Sequence, residues 1–501
     1  MPQIPMKTLE AHADIEGTAW PTTTVSERLS RSESATRLPE GEPLVADIVA
    51  NGNLDHNNTS VYVVSSSQSN GKSPHHNYTA MKTDDRQPEV PKDKFLLALV
   101  IFAIHGVGTL YPWNSFITAD RYFIEHKFAN VSDDTEYKDK FMSYLGIGGF
   151  IPNVTFLFLA LFFPPKSSRY STFSGLLVML ALFILTTILA IIDSSAWPDA
   201  FFAITMVSIV LFNAASAVYQ SGMYALAAKL PEGYTQSYIV GQGIGGTFVA
   251  VLSILSISFA GSLRGAAIGY FSCAVLVLFI CCVTYVALFK MPIVRYYLGL
   301  IHMYYDDKEA EASLDAPSNE RLPLWTIFKE IKMQLFNIWM TFFVTLAVFP
   351  VVLAGTPSTR AESSPFLKTY FIPLCCFFTF NLGDFFGSLL PSWVRWKYPK
   401  FTWIFVVSRL VFFPIFLFCN YRPETRTLPV LINNDYAYAF MVVLMSISNG
   451  YLKTVVMMDG PQMVTHPAWA GKAASMMVFF LILGIFCGIQ FSLFFPWVVS
   501  L

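Results

Sequence analysis

The chain has 501 residues, of which 54% are hydrophobic and only 13% charged, with a formal net charge of -1. A soluble domain carries about 25% charged residues, so the composition excludes an ordinary water-soluble fold and indicates a membrane protein. Lys and Arg are dispersed among hydrophilic segments rather than gathered into a stripe, which argues against a nucleic-acid partner.

Residues 1–94 differ from the rest. They are rich in Ser, Thr, Asn, Pro and Gly, as in SSSQSNGKSPHHNYT, with no periodicity that would offset the entropy of ordering a backbone, so they read as a disordered cytosolic tail. The opening MPQIPMKTLEAHADIEG lacks the basic start and apolar run of a cleaved signal, so the first membrane helix itself is expected to direct insertion.

Seven windows free of Asp, Glu, Lys and Arg follow, at 95–119, 141–163, 170–192, 200–228, 233–263, 265–289 and 333–359. About twenty apolar residues at the α-helical rise cross a bilayer core once. An eighth window closes the chain at 473–501, and three more carry one interior charge each: Asp384, Arg409 and Lys453. The expectation is an all-α membrane protein of eleven helices, with 95–289 and 333–501 as two halves of six and five helices joined by a cytosolic loop at 290–332. That division suits a transporter whose halves rock about a central site.

With the tail inside, the cytosolic side collects 17 Lys and Arg near helix ends against nine outside, which places the N terminus in the cytosol and the C terminus outside. The sequon Asn130-Val131-Ser132 then falls on the outer side, where Asn130 is expected to be glycosylated. Asn153 lies within the second helix and Asn57, Asn58 and Asn77 within the tail, where no glycan is expected.

A charge at the bilayer centre costs about 2.5–3.5 kcal/mol on insertion scales, so Asp384 must face protein or an aqueous cavity. In FNLGDFFGS, Asn381, Asp384 and Ser388 stand at i, i+3 and i+7 and form one stripe of the eighth helix. Two readings stand, a clamp between helices in which Arg409 is the candidate partner, and a cavity-lining role. The fourth helix repeats the pattern with Asn213, Ser216 and Gln220. The Gln amide offers donors and an acceptor at once, which suits an uncharged heterocycle or, equally, another helix.

The first helix ends in GVGTLYPWNSFITA, where Leu110, Trp113 and Ile117 share a face. Trp113 reads either as an interfacial anchor or as a platform for an aromatic base. His105 reads either as a proton relay or, the favoured reading because no acid stands near it in sequence, as a bonded interior histidine, and Lys453 as a side chain reaching for the cytosolic surface. Pro350 marks a kink in the seventh helix, with Phe349 beside it. The seven cysteines all fall in apolar windows and read as free thiols. No nucleophile with a base, metal cluster or phosphate loop stands out, so neither an enzyme nor a cofactor is expected.

The ordered motifs GVGTLYPWNSFITA, VYQSG, GYTQSYIVGQG, FNLGDFFGS, SRLVFFPIFLFCN and SNGYL, spread over 95–494, resemble the equilibrative nucleoside transporters, the solute carrier 29 family. The resemblance implies an eleven-helix, major-facilitator-like fold carrying nucleosides such as adenosine and uridine down their gradient, at the plasma membrane, by alternating access. It implies that Leu110, Trp113 and Ile117 line the cavity, that Gln220 contacts the base, that Asp384 with Asn381 serves the ribose, and that Phe349 also lines the site. The family's eighth-helix motif resembles FNxxDWxGR, whereas this chain has Phe385 and Ser388 at the Trp and Arg positions. Losing that Arg leaves Asp384 without its cation, with Arg409 as the candidate substitute, or else free to attract a cationic substrate.

A branch of the family that moves organic cations is similar in this motif but resembles an acid where this chain has Gln242 and Tyr where it has Trp113, which favours nucleosides here. Two alternatives remain for test, an organic-cation carrier and a non-transporting receptor or scaffold working through its tail.

Overall fold

A computed structural model of the chain describes residues 90–129, 140–163, 167–259, 262–299 and 324–500, together with two short strands in the tail. The strands, β1 (Tyr62–Val64) and β2 (Tyr78–Ala80), pair antiparallel with Tyr62 opposite Ala80, so the tail holds one piece of regular structure where none was expected. Their aromatic and β-branched residues explain the choice of conformation. The rest of the expected tail disorder, the tail sequons, the glycosylation site at Asn130 and the greater part of the 290–332 loop lie outside the described residues.

Residues Val90–Leu501 form a separate unit. Its spans are α1 (Lys94–Thr118), α2 (Phe141–Phe162), α3 (Ser168–Ile191), α4 (Pro198–Ala227), α5 (Glu232–Ser258), α6 (Leu263–Leu288), α7 (Leu324–Ala354), α8 (Pro365–Ser392), α9 (Pro399–Leu417), α10 (Asp435–Gln462) and α11 (Pro467–Ser500). These eleven are the expected crossings, and the protein is a multi-pass membrane protein. α7 begins nine residues before the charge-free window, because a helix satisfies its own backbone and continues past the hydrocarbon into a charged turn containing Lys329, Glu330 and Lys332.

Within the bilayer an unpaired polar side chain is costly, and several hydroxyls pair locally. Thr109, Thr341 and Thr345 each donate to the carbonyl four residues back, at 2.7–2.9 Å. His105 is fully buried, with Nδ1 2.6 Å from the Tyr219 hydroxyl and Nε2 3.4 Å from Thr284 Oγ1. It is the bonded interior histidine expected, tying α1 to α4 and α6. All seven cysteines are free thiols. Beyond the end of α1, the Lys127 ammonium donates to the carbonyls of Leu189 (2.8 Å) and Ile192 (2.6 Å), closing the C-terminus of α3. Its burial there pushes its pKa down to about 8.

Glycine sets the closest helix contacts. α1 packs most extensively on α5, where a Cβ at Gly241 would lie 2.0 Å from the Ala103 carbonyl oxygen. α8 and α10 touch in the same way, since a Cβ at Gly450 would lie 2.1 Å from the carbonyl oxygen of Asp384. Small residues at such crossings let backbones meet and give dispersion contacts that lipid cannot match.

Two irregularities shape the second half. α7 breaks at Phe349-Pro350, a cis peptide, where the proline cannot donate to the helix ladder. α8 contains a widened turn, Ile372–Phe378, immediately before the polar stripe, with Thr379 Oγ1 donating to the Leu374 carbonyl at 2.8 Å. The wide turn begins beside Pro373, and inserting it rotates the stripe relative to the start of the helix.

The candidate substrate site between the two halves

From Ile101 to Thr118 no residue of α1 is fully exposed, so the helix is packed by protein around most of its surface. Leu110, Trp113 and Ile117 are half-buried, while Tyr111, Ser115 and Phe116 on the opposite face are buried. Leu110, Trp113 and Ile117 thus form the less buried face of the helix. Trp113 sets its edge against Phe150 of α2 (centroids 5.6 Å apart, planes at 74°), and its ring lies over Gly149, where a Cβ would come within 2.3 Å.

α4 brings the second stripe. Tyr219 faces α1 through His105, and Tyr224 donates to Gln242 Oε1 of α5 at 3.3 Å. Gln220 lies between these anchors with 9% of its surface exposed, and among the described residues its amide has no hydrogen-bond partner. Neither of its polar atoms is sealed, since neither is among the fully buried orphans of the structure. An amide so nearly buried, unpartnered and still reachable faces a space that a polar ligand or water can fill.

The Asp384 carboxylate is 6% exposed and fully engaged. Asn449 Nδ2 of α10 donates to Oδ1 at 2.7 Å, and the Lys453 ammonium donates to Oδ2 in a buried ion pair. Lys453 is buried in this pair and does not reach the surface. At i and i+4 on α10, Asn449 and Lys453 share the face that packs on α8, and pairing there relieves the cost of two separate buried charges. Of the two readings of Asp384, the structure displays the clamp.

Arg409 is not the partner of Asp384. Its guanidinium, on a residue 3% exposed, donates to the Thr341 carbonyl (2.8 Å), Thr345 Oγ1 (2.7 Å), Ser448 Oγ (3.1 Å) and the Met445 carbonyl (3.4 Å). Thr345 Oγ1 in turn lies 2.7 Å from Asn449 Oδ1, so Arg409 is linked to the carboxylate only through one hydroxyl and one amide. Carbonyls from α7 and α10 satisfy the guanidinium where it stands, which removes any pull toward α8. A cavity of about 470 Å³ borders Arg409 on its other side, between α9 and α10.

Asn381 behaves differently from Asp384. Its Nδ2 donates to the Phe377 carbonyl at 2.8 Å, while Oδ1 is directed at α5, where a Cβ on Gly246 would lie 2.1 Å from it. Phe349 stacks on Phe380 of α8 (3.9 Å, 10°) and meets Phe377 edge-on, so it packs within the second half. Ser388 donates to the Asp384 carbonyl at 2.8 Å and supplies nothing to the carboxylate.

The two halves are fastened at the end where α1 begins. Arg395 pairs with Glu232 of α5 and with Asp459 of α10, the second at 2.5 Å. Gln236 of α5 donates to the Ser388 carbonyl (3.1 Å) and Ser392 Oγ (2.8 Å) of α8, and Lys472 of α11 donates to the Leu161 carbonyl of α2 at 2.5 Å.

The match with known proteins accords with this arrangement. The model of the family described as nucleoside transporter matches residues 206–497. Equilibrative nucleoside transporter 1 of Homo sapiens is 32% identical, over 82% of this chain and 99% of that protein. The chain belongs to the equilibrative nucleoside transporter family. It is thus a member of a family of membrane carriers and not of enzymes. Equilibrative nucleoside transporter 3 of Rattus norvegicus is 31% identical over 79% of this chain and 88% of that protein. Among solved structures, the proton:xylose symporter XylE of the major facilitator superfamily is 11% identical with a TM-score of 0.52, covering 80% of this chain and 87% of that one. A double-Trp variant of XylE gives 0.54 at 12% identity, covering 80% and 89%. The transporter therefore has the major-facilitator fold expected.

Sequence reasoning missed Asn449 and Lys453 as the partners of Asp384, and Tyr224 with Gln242 as the pair one turn along α4 from Gln220. A signal existed for the first, in the i, i+4 spacing of Asn449 and Lys453 in SNGYLK.

Proposed function

We propose that the protein carries nucleosides such as adenosine and uridine across the plasma membrane down their gradient, by alternating access. The observation that carries the proposal is the Gln220 amide, nearly buried, unpartnered among the described residues and still reachable, in a chain of this family. The base packs along Leu110, Trp113 and Ile117 and exchanges hydrogen bonds with Gln220, which has a donor pair and an acceptor for an uncharged heterocycle. The ribose lies toward α8, where Asn381 Oδ1 accepts from a hydroxyl and the Asp384–Lys453 pair borders it, with Phe349 behind in the aromatic wall. The fastening at the end where α1 begins supports alternating access, since it joins the two halves at one end of the bundle. With the tail cytosolic, that joined end is the cytosolic one, the C terminus is extracellular, and Asn130 lies on the glycosylated side.

The organic-cation reading is disfavoured by one observation, the Lys453 ammonium seated on Asp384. A free cation would have to displace it.

In cells expressing the protein, labelled uridine or adenosine is expected to enter saturably. Gln220→Ala, expressed at the same surface level, is expected to lower uptake at limiting substrate by about tenfold, the cost of one lost hydrogen bond in a nearly buried site. Uptake equal to the unsubstituted protein would remove Gln220 from the site.

A further inference from the structure

We propose that Lys453 is a specificity-determining residue: by neutralising Asp384 at the junction of the two halves, it makes the substrate path electroneutral and restricts the carrier to uncharged solutes. This rests on the nucleoside reading and goes beyond it, because it assigns a role to a residue of α10 outside the substrate-contacting stripes.

Asp384, Arg409 and Lys453 are charged side chains set within the apolar windows of α8, α9 and α10. Arg409 is held by four neutral acceptors from α7 and α10 and reaches Asp384 only through Thr345 and Asn449. Ser388, one turn beyond Asp384, donates to its carbonyl and brings no positive charge. The cation in direct contact with the carboxylate is therefore Lys453. With Lys453 in place the pair carries no net charge. Without it the carboxylate keeps only the Asn449 amide, and a nearly buried anion with one neutral donor recruits a cation from whatever solution reaches it.

On the nucleoside reading, the pair also stands beside the path between the halves. Its helix, α8, meets α5 of the other half at Asn381 against Gly246 and at Gln236 against the Ser388 carbonyl. α10 packs on α5 as well as on α8. The carboxylate lies between α8 and α10, and α5 packs on both of these helices, so parting of the halves along α5 opens the side of the pair that α5 covers. A cation arriving there meets an ammonium already seated, so rejection of charged substrates comes from an occupied counter-charge, in the manner of negative selection against the wrong ligand.

The test uses purified full-length protein in proteoliposomes under an imposed membrane potential. Labelled uridine and labelled phenyltrimethylammonium, a permanently charged aromatic cation, are measured side by side. Lys453→Met is expected to raise cation uptake by about tenfold, the result of about 1.4 kcal/mol of added attraction, and to make it grow as the interior becomes more negative. Asp384→Asn combined with Lys453→Met restores a neutral junction and is expected to abolish that gain. Cation uptake by Lys453→Met no greater than by the double variant overturns the proposal. Should Lys453→Met not be recovered as monodisperse protein, Lys453→Gln, which keeps an N–H donor for Asp384 but no charge, is judged by the same outcomes. Absence of uridine uptake by the unsubstituted carrier would refute the nucleoside reading alone, since the gain of cation uptake reads out Lys453 independently.

Discussion

Gly241→Val is expected to leave almost no folded carrier. A Cβ at this position would lie 2.0 Å from the carbonyl oxygen of Ala103 and within 2.8 Å of its Cα, and the atoms met are backbone, which cannot step aside as a flexible side chain can. Relief requires α1 and α5 to separate along the most extensive helix contact of the first half. Overpacking of a tight core costs up to about 3 kcal/mol, occasionally more, and here it falls on a backbone crossing. The measurement is the fraction of detergent-solubilised protein eluting as a monodisperse peak, expected to fall by about tenfold or more. Gly146→Ala is the contrasting control, because a Cβ there meets nothing within 4 Å. Equal recovery of Gly241→Val and the control would contradict the packing described for α1 and α5.

Asp384→Ala is expected to be the second most damaging change, through the charge it strands rather than the contact it deletes. It leaves the Lys453 ammonium 6% exposed between α8 and α10 with no carboxylate and frees the Asn449 amide of its acceptor. Removing one member of a buried ion pair costs about 3–5 kcal/mol, more than the pair itself is worth, because the remaining ion keeps its desolvation penalty. The thermal midpoint of the purified protein should fall, and uridine uptake per folded molecule should drop by about tenfold or more. Replacing Lys453 by Ala as well removes the stranded charge and should recover a large part of the lost thermal stability. A double variant no more stable than Asp384→Ala would show that the pair is not what the site depends on.

The sequence carries the crossings far more openly than their mutual arrangement. Eleven apolar windows announced eleven spans because the bilayer imposes a length and a hydrophobicity that any spanning helix must meet. The start of α7 escaped because helix propagation into water is free of that constraint. Asp384 was conspicuous for a related reason, since a carboxylate in hydrocarbon stands out against its neighbours. Its partner was not, because both Arg409 and Lys453 were available in sequence and the choice between them is made by helix rotation. The carbonyls of Thr341 and Met445 happen to stand where they satisfy Arg409, while the i, i+4 register of Asn449 and Lys453 turns both onto α8. The widened turn at Ile372–Phe378 adds to the difficulty, because a stripe counted at 3.6 residues per turn loses its phase across it. Gln220 was legible as an amide on a polar stripe. That Tyr219 and Tyr224 on either side are taken up by His105 and Gln242, leaving Gln220 unpartnered among the described residues, depends on three helices meeting.

The family's Arg position, occupied here by Ser388, illustrates how a charge can move between elements. The cation facing the carboxylate comes from α10, four residues after Asn449, and so the junction keeps a positive partner although the α8 motif does not supply one.

The central claim, that solute passes between the halves through a site framed by Gln220 and the α8 stripe, is tested most directly by counterflow. Purified protein in proteoliposomes preloaded with unlabelled uridine is diluted into trace labelled uridine. Carrier-mediated exchange gives a transient internal accumulation of label above the external level, present without ion gradient or nucleotide, and strongly reduced in Gln220→Ala. Label rising no faster than in protein-free liposomes, or an accumulation unchanged by that substitution, would contradict the claim.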